Sequence, residues 1–348
     1  MIDISVFPEH IYIEKGEYNQ YLNFDFLIEN NYNQEFFIKS IKLSILDEND
    51  RLIMKNSIDD SAVTPSIELI GERKLKKNDS LYIFNPFWIF SRDMHLTNLH
   101  FEFNFISGDN EQLKKELSLT PSIYQSKTKI ILPLKRRMMV YDGTDIYSHH
   151  RRVDLSHEIL RKIGFRANSG RFAYDLCSVN DKHRLYDNDG LKTTDWFGFG
   201  EPVYAPGSGK VIKVVNDMED NILGEKMFDF DNLFVDPDSM MGNHVIIDHF
   251  NGEYSVLAHF KQGSIIVNAG DEVERGRQIG KMGFSGSTGR YVHIHYELRK
   301  GINLVQSEGL PLYFNRFFRI RGNNRIDVET GRLNTGEIIE PQNESDYI

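Results

Sequence analysis

A single cysteine, Cys177, among 348 residues excludes any disulfide within the chain and any cysteine-built metal site. An excess of basic residues is missing too. Lys and Arg number 41 against 51 Asp and Glu, a net charge of -10, so no general affinity for nucleic-acid phosphate is expected. No stretch approaches the ~20 apolar residues that a membrane-spanning helix needs. The N-terminus, Met1-Ile2-Asp3-Ile4-Ser5-Val6-Phe7-Pro8-Glu9, has no basic segment followed by an apolar one, and no signal peptide is read there. Compartment stays open between the cytoplasm, export by another route, and a leader outside this stretch. Oligomeric state is equally undetermined. Repeats and low-complexity tracts are also absent.

What is present describes a globular protein. Hydrophobic residues make up 40% and charged residues 26% of a 40.5 kDa chain, enough for two domains with real cores. Period-two patterning dominates the first part. Leu22, Phe24, Phe26 and Ile28 alternate with Asn23, Asp25 and Leu27; Ile41, Leu43 and Ile45 with Lys42 and Ser44; Leu99, Phe101, Phe103 and Phe105 with His100, Glu102 and Asn104. Asn- and Asp-rich turns bound these runs, as at Asp47-Glu48-Asn49-Asp50. The pattern predicts antiparallel strands with one buried face. Residues 1–125 are therefore read as a β-sandwich accessory domain, an immunoglobulin-like sandwich being one form it can take. His10, His95 and His100 are scattered there and read as ordinary strand histidines.

Residues 126–348 form the second expected domain. Ile130-Ile131-Leu132-Pro133-Leu134 is strand-like, and Lys135-Arg136-Arg137 reads as a solvated strand end. One short helix is predicted over 156–163, with Ser156 as cap and Ile159, Leu160 and Ile163 at helical spacing. The rest is glycine-punctuated strand, as in Pro202-Val203-Tyr204-Ala205-Pro206-Gly207-Ser208-Gly209 and Gly270-Asp271-Glu272-Val273-Glu274-Arg275-Gly276. Glycine serves the tight corners while Val and Ile pack the inside of a barrel-like sandwich.

Candidate chemistry concentrates in this domain. His293-Ile294-His295 lies in an apolar run, so a strand there projects both imidazoles to one face. Asp175 sits among Phe172, Tyr174 and Leu176, where an unpartnered carboxylate would be costly. His259 follows Val256-Leu257-Ala258. Imidazoles converging with a carboxylate are what a single zinc site with an adjacent acid/base requires. His244, Asp248 and His249 read as structural hydrogen-bonding groups, His183 as a loop residue, and Cys177 as a small buried hydrophobe. The long Asp-, Asn- and Met-rich segment between Val215 and Gly242 reads as the wall of a substrate groove.

Several of these segments, in this order, resemble the lysostaphin-type zinc endopeptidases, bacterial peptidoglycan hydrolases of the duplicated hybrid motif fold. They are Arg171-Phe172-Ala173-Tyr174-Asp175; Gly200 to Val211; Gly242-Asn243-His244-Val245-Ile246-Ile247-Asp248-His249; Leu257-Ala258-His259-Phe260; Gly270 to Gly280; and Gly283-Phe284-Ser285-Gly286-Ser287-Thr288-Gly289 leading into His293-Ile294-His295. The likeness spans about residues 130 to 315. It implies an all-β fold with one zinc per chain, Asp175 and His295 as ligands, and His259 and His293 as catalytic groups beside the metal. Peptide bonds of cell-wall peptidoglycan are the implied substrate.

One position departs from the family pattern. Four residues before the aspartate, where the resemblance places the first zinc histidine, stands Arg171, whose guanidinium stays protonated and cannot bind metal. Either an imidazole from His149-His150 replaces it, with the choice between the two open, or the chain is a degenerate, non-catalytic binding or regulatory module.

Overall fold

The alternation read from the N-terminal sequence decides which residues are buried. Leu22, Phe24, Phe26, Ile28, Ile41, Leu43, Ile45, Leu99, Phe101, Phe103 and Phe105 are all buried, as strands that turn every second side chain to one face require; Asn23 and Asp25, read as outward alternates, are buried as well, because one strand ends at Leu22 and the next begins at Asp25. The computed structural model describes residues 1–342, divided into two units: Met1–Gln125 with Asp154–Leu160, and Ser126–Val153 with Arg161 onward.

In the first unit, strands Gln112–Leu119, Asn98–Ser107, Phe36–Leu46 and Leu52–Asp59 form an antiparallel sheet, with Lys74–Leu75 pairing Phe36–Leu46. Ile2–Phe7, Asp25–Asn30 and Ser80–Phe84 form a second sheet. The Phe26 ring lies 5.0 Å from those of both Phe101 and Phe103, so aromatic pairs join the two sheets. A third sheet holds Ser122–Ile123, Tyr12–Lys15, Asn19–Leu22 and Ile89–Ser91.

The second unit is built on a ten-stranded antiparallel sheet. Its spatial order is Glu272–Val273, Gly209–Val215, Asn243–Asp248, Tyr254–Phe260, Ile294–Arg299, Tyr174–Ser178, Met138–Asp142, Ile338–Pro341, Phe314–Arg321 and Asn324–Gly331. Pro202–Tyr204 pairs Gln278–Lys281 in a separate two-stranded sheet. The protein is all-β, and the large sheet stays open, with edges at Glu272–Val273 and Asn324–Gly331 rather than closed as a barrel. Every residue of Tyr174–Ser178 and Ile294–Arg299 is buried, so these central strands are covered on both faces.

Local differences from the sequence reading have local causes. The one α-helix among the described residues, Glu158–Ile163, starts two residues late and buries none of its side chains. Ser156 does not cap it, because its hydroxyl donates to the Asp154 carboxylate (2.6 Å), and the Ile159 amide donates to His157 Nδ1 (3.3 Å) instead. Ile130–Leu134 is buried but makes only one bridge, to Phe314; the Ile131 amide donates to the Pro206 carbonyl. No helix among the described residues is long and apolar enough to cross a membrane.

The Phe101 ring also faces those of Phe24 and Phe87. Truncating a fully packed aromatic loses its burial and leaves a void. Phe101→Ala is expected to destabilise the first unit by about 3–5 kcal/mol, measured by denaturant unfolding; a loss under about 1 kcal/mol would show that these rings are loosely packed.

Candidate metal centre

Asp175 is the hub of the site, and strand pairing puts it there. Tyr174–Ser178 runs antiparallel to Ile294–Arg299 with Asp175 opposite His295, so carboxylate and imidazole project together. On the other side of Tyr174–Ser178, a bulge in the Met138–Asp142 strand sets Asp142 opposite Asp175. His259 arrives by a different device. It is the extra residue of a bulge, since Asn243 pairs Phe260 while His244 pairs Ala258, and its φ is +69°. Simple alternation would turn His259 away from the face that Ala258 shares with His295 across the pair. The bulge brings its ring to 4.8 Å from that of His293 and 5.9 Å from that of His295.

Three nitrogens converge on one oxygen. Asp175 Oδ1 lies 3.0 Å from His295 Nδ1, 3.3 Å from His150 Nε2 and 3.3 Å from His293 Nε2. Asp175 Oδ2 accepts a hydrogen bond from the Tyr291 hydroxyl (2.5 Å) and lies 3.8 Å from His149 Nε2. Asp142 Oδ2 pairs closely with His149 Nδ1 and lies 3.9 Å from His150 Nδ1. Asp142, His149, His150 and Asp175 each bring a donor atom within 4.8 Å of the others. His150 and His295 are buried, while the His149 side chain is 63% exposed.

The donor set suits zinc. Bonds of ~2.0–2.1 Å in a tetrahedron put ligand atoms about 3.3 Å apart, matching the spacing around Asp175 Oδ1. Both ring nitrogens of His150 and Nε2 of His295 are buried without a hydrogen-bond partner, a costly state that a cation would relieve for the atoms facing it.

The remaining histidines have fixed tautomers. His259 Nδ1 faces the Ser285 carbonyl at 2.8 Å and His293 Nδ1 the Tyr291 carbonyl at 3.0 Å. A carbonyl only accepts, so each Nδ1 carries the hydrogen and each Nε2 keeps its lone pair. Gly242 leaves room for the Ser285 carbonyl. It has φ +57°, and a Cβ there would lie 2.3 Å from that oxygen, so only glycine permits the approach.

Electrostatics follow burial and neighbours. Burial alone would raise the Asp175 carboxyl, but the facing His293 and His150 reverse this and hold it well below the usual carboxylate range. Burial pushes His259 well below the ordinary imidazole value, helped by His293 and His295. Burial also lowers His293, to about 4 against the pull of Asp175. For His295, Asp175 and Glu297 outweigh burial and raise it to about 9. Glu297 is buried too; Arg299 and His295 overcome the cost of burial and hold it at about 2.

The structure thus gathers His149, His150, Asp175, His259, His293 and His295 around a cleft of about 340 Å³, lined also by Phe165, Met240 and Met241. Three neighbours were not anticipated: Asp142, Tyr291 and Glu297. Tyr291 and Glu297 flank His293 and His295 at the same two-residue spacing, so alternation carried their signal. Asp142, in Tyr141-Asp142-Gly143, looks like a turn residue and gave none. His244 and His249 are structural: His244 Nδ1 donates to the Gly242 carbonyl (2.8 Å), and His249 bonds the Ser208 carbonyl and Ser255. Cys177 is buried, and burial raises its thiol. Arg171 is fully buried with its Nε 2.5 Å from Glu308 Oε1.

Residues 191–307 match the model of Peptidase family M23; His259, His293 and His295 fall within the match, and His149, His150 and Asp175 precede it. No curated protein matches the chain by sequence. Among solved structures, a mutant of the catalytic domain of the prophage-encoded M23 protein EnpA from Enterococcus faecalis is 18% identical. That alignment covers 54% of this chain and 91% of that one, with a TM-score of 0.26. LytU is 17% identical over 53% and 83% (TM-score 0.27). A zinc-containing peptidase from Vibrio cholerae is 13% identical over 86% and 83% (TM-score 0.28). Residues 191–307 are thus similar to Peptidase family M23, the family whose model they match.

Proposed function

We propose that the protein is a zinc metalloendopeptidase that cuts short peptide bonds, with bacterial peptidoglycan as its substrate class. The observation that carries this reading is the convergence of His150, His293 and His295 on Asp175 Oδ1 at 3.0–3.3 Å, in a cleft lined in large part by the segment that matches the M23 model. His150, Asp175 and His295 would hold the metal, with His150 standing in for the imidazole that Arg171 displaces. That substitution weakens the case for a degenerate binding module, because the donor count is restored. His150 is preferred to His149 because it is buried, its Nε2 lies closer to Asp175, and neither of its ring nitrogens has a hydrogen-bond partner.

Zinc there would supply a Lewis acid that polarises the scissile carbonyl and acidifies water. The chain's own groups would do the rest. With Nδ1 donating to the backbone and burial keeping the rings neutral, His259 and His293 offer Nε2 as a proton acceptor. They can pass that proton to the departing amine. Once protonated, either can donate to the oxyanion of the tetrahedral intermediate. Tyr291 fixes the Asp175 carboxylate from its other oxygen. Met240 and Met241, at the end of the segment between Val215 and Gly242, would contact the peptide flanking the cut bond.

Three outcomes test the reading. Elemental analysis of the purified chain is expected to find about one zinc, lost in His150→Ala, Asp175→Ala and His295→Ala and retained in His149→Ala. No zinc under replete conditions favours the binding module instead, and loss only in His149→Ala exchanges the two histidines. His259→Ala should keep its zinc while digestion of purified peptidoglycan slows by about 10²–10⁴-fold; full activity would remove His259 from the mechanism. Shortening the segment between Val215 and Gly242 should change which peptide bond is cut at constant zinc content, and unaltered products would show that it does not shape specificity.

A further inference from the structure

We propose that Arg171, Glu308 and Asn168 form a clamp that positions His150, so that the arginine standing in place of the family's first histidine holds the imidazole that substitutes for it. The inference rests on the zinc reading above. His150 needs such a holder. Asp175 and His295 are fixed by strand pairing, whereas His149, His150 and Arg151 lie in a turn after the Met138–Asp142 strand, where no ladder sets the position of a side chain. A ligand must nevertheless sit within about 0.5 Å of its productive geometry.

The clamp can be followed atom by atom. The Arg171 guanidinium is fully buried and permanently charged, so it requires an anionic partner, and its Nε lies 2.5 Å from Glu308 Oε1. The other Glu308 oxygen accepts the backbone amide of Asn168 (3.2 Å). The Asn168 carbonyl accepts the amides of Arg171 (3.3 Å) and Gly309 (3.1 Å), which ties the two loops to each other. Gly309 permits that approach, since a Cβ there would lie 2.5 Å from the Ser169 carbonyl oxygen. With its backbone held from both sides, Asn168 is left with a side-chain amide that donates to the His150 carbonyl (2.8 Å) across a buried contact. The His150 ring then presents Nε2 3.3 Å from Asp175 Oδ1. Arginine at position 171 is on this account a working part of a relocated ligand shell, with Asn168 as the positioning residue that touches the ligand.

Zinc affinity of the metal-free full chain, titrated against a chromophoric chelator, tests the clamp, alongside the visible spectrum of the cobalt-substituted protein. Asn168→Ala is expected to weaken zinc binding 10–100-fold, the usual cost of removing an outer-shell partner, and to alter the cobalt spectrum. In a His150→Ala background the same substitution should have no further effect on residual metal binding, because its influence passes through that ring. A general structural role would instead lower affinity equally in both backgrounds, and that result overturns the inference. So does a wild-type affinity in Asn168→Ala. Should Asn168→Ala not fold, Asn168→Asp keeps the side-chain size while replacing the donor by an acceptor, and its affinity is read by the same criteria. A wild-type chain that takes up no zinc overturns both this inference and the zinc reading. Zinc uptake by the wild type with unchanged affinity in the Asn168 variants overturns the clamp alone.

Discussion

Burying an ionised carboxylate costs several kcal/mol unless partners replace the lost water, and at Asp175, 1% exposed, those partners are imidazoles and a phenol. Everything around the cleft follows from that requirement. His150, His293 and His295 crowd one oxygen while Tyr291 and His149 attend the other. Several imidazoles gathered at a single buried anion also bring their own desolvation cost, since each must stay neutral or pair with a charge. A divalent cation at the centre would let one charge settle the account for the carboxylate and for the unpartnered Nε2 of His150 together.

The sheet makes this gathering inexpensive in chain entropy. Tyr254–Phe260, Ile294–Arg299, Tyr174–Ser178 and Met138–Asp142 are consecutive neighbours, so His259, His295, Asp175 and Asp142 come from four adjacent strands whose spacing of ~4.8 Å the ladder already fixes. Two of the four reach the site through bulges, at Asp142 and at His259. A regular ladder aims side chains only up or down. The φ of +69° at His259 is a conformation that a non-glycine residue adopts at a cost of about 1–3 kcal/mol. The surrounding pairs, and the hydrogen bond from His259 Nδ1 to the Ser285 carbonyl, hold His259 in it.

How much of this was legible in the sequence depends on whether the information was periodic. Alternation gave the buried faces of the N-terminal strands and the shared face of His293 and His295, because a pleated strand leaves no other arrangement. The same alternation contained Tyr291 and Glu297, which a count by twos outward from His293 and His295 would have reached. The bulges were not legible, since they insert a residue without any compositional mark. Nor was the open sheet: glycine corners and apolar strands fit a closed barrel equally well. Here Phe314–Arg321 and Asn324–Gly331 continue the sheet beyond Ile338–Pro341, through pairing across long sequence distances that no local pattern encodes.

Arg171 shows how a motif position can change while an imidazole still reaches the aspartate from elsewhere. Read by spacing alone, an arginine at a ligand position signals a lost site. Placed in the fold, its side chain is turned to Glu308, and an imidazole from a turn more than twenty positions upstream occupies the space beside Asp175. A fully buried guanidinium is expensive to leave unpaired, so a lone His→Arg change without a facing carboxylate such as Glu308 would be strongly destabilising. The pair is tolerable only if both charges are present and hydrogen-bonded together. Hydrogen bonds link Arg171 and Glu308 to His150 through Asn168, so on the proposed zinc reading the ligand set would belong to the whole loop arrangement rather than to any one spacing within it.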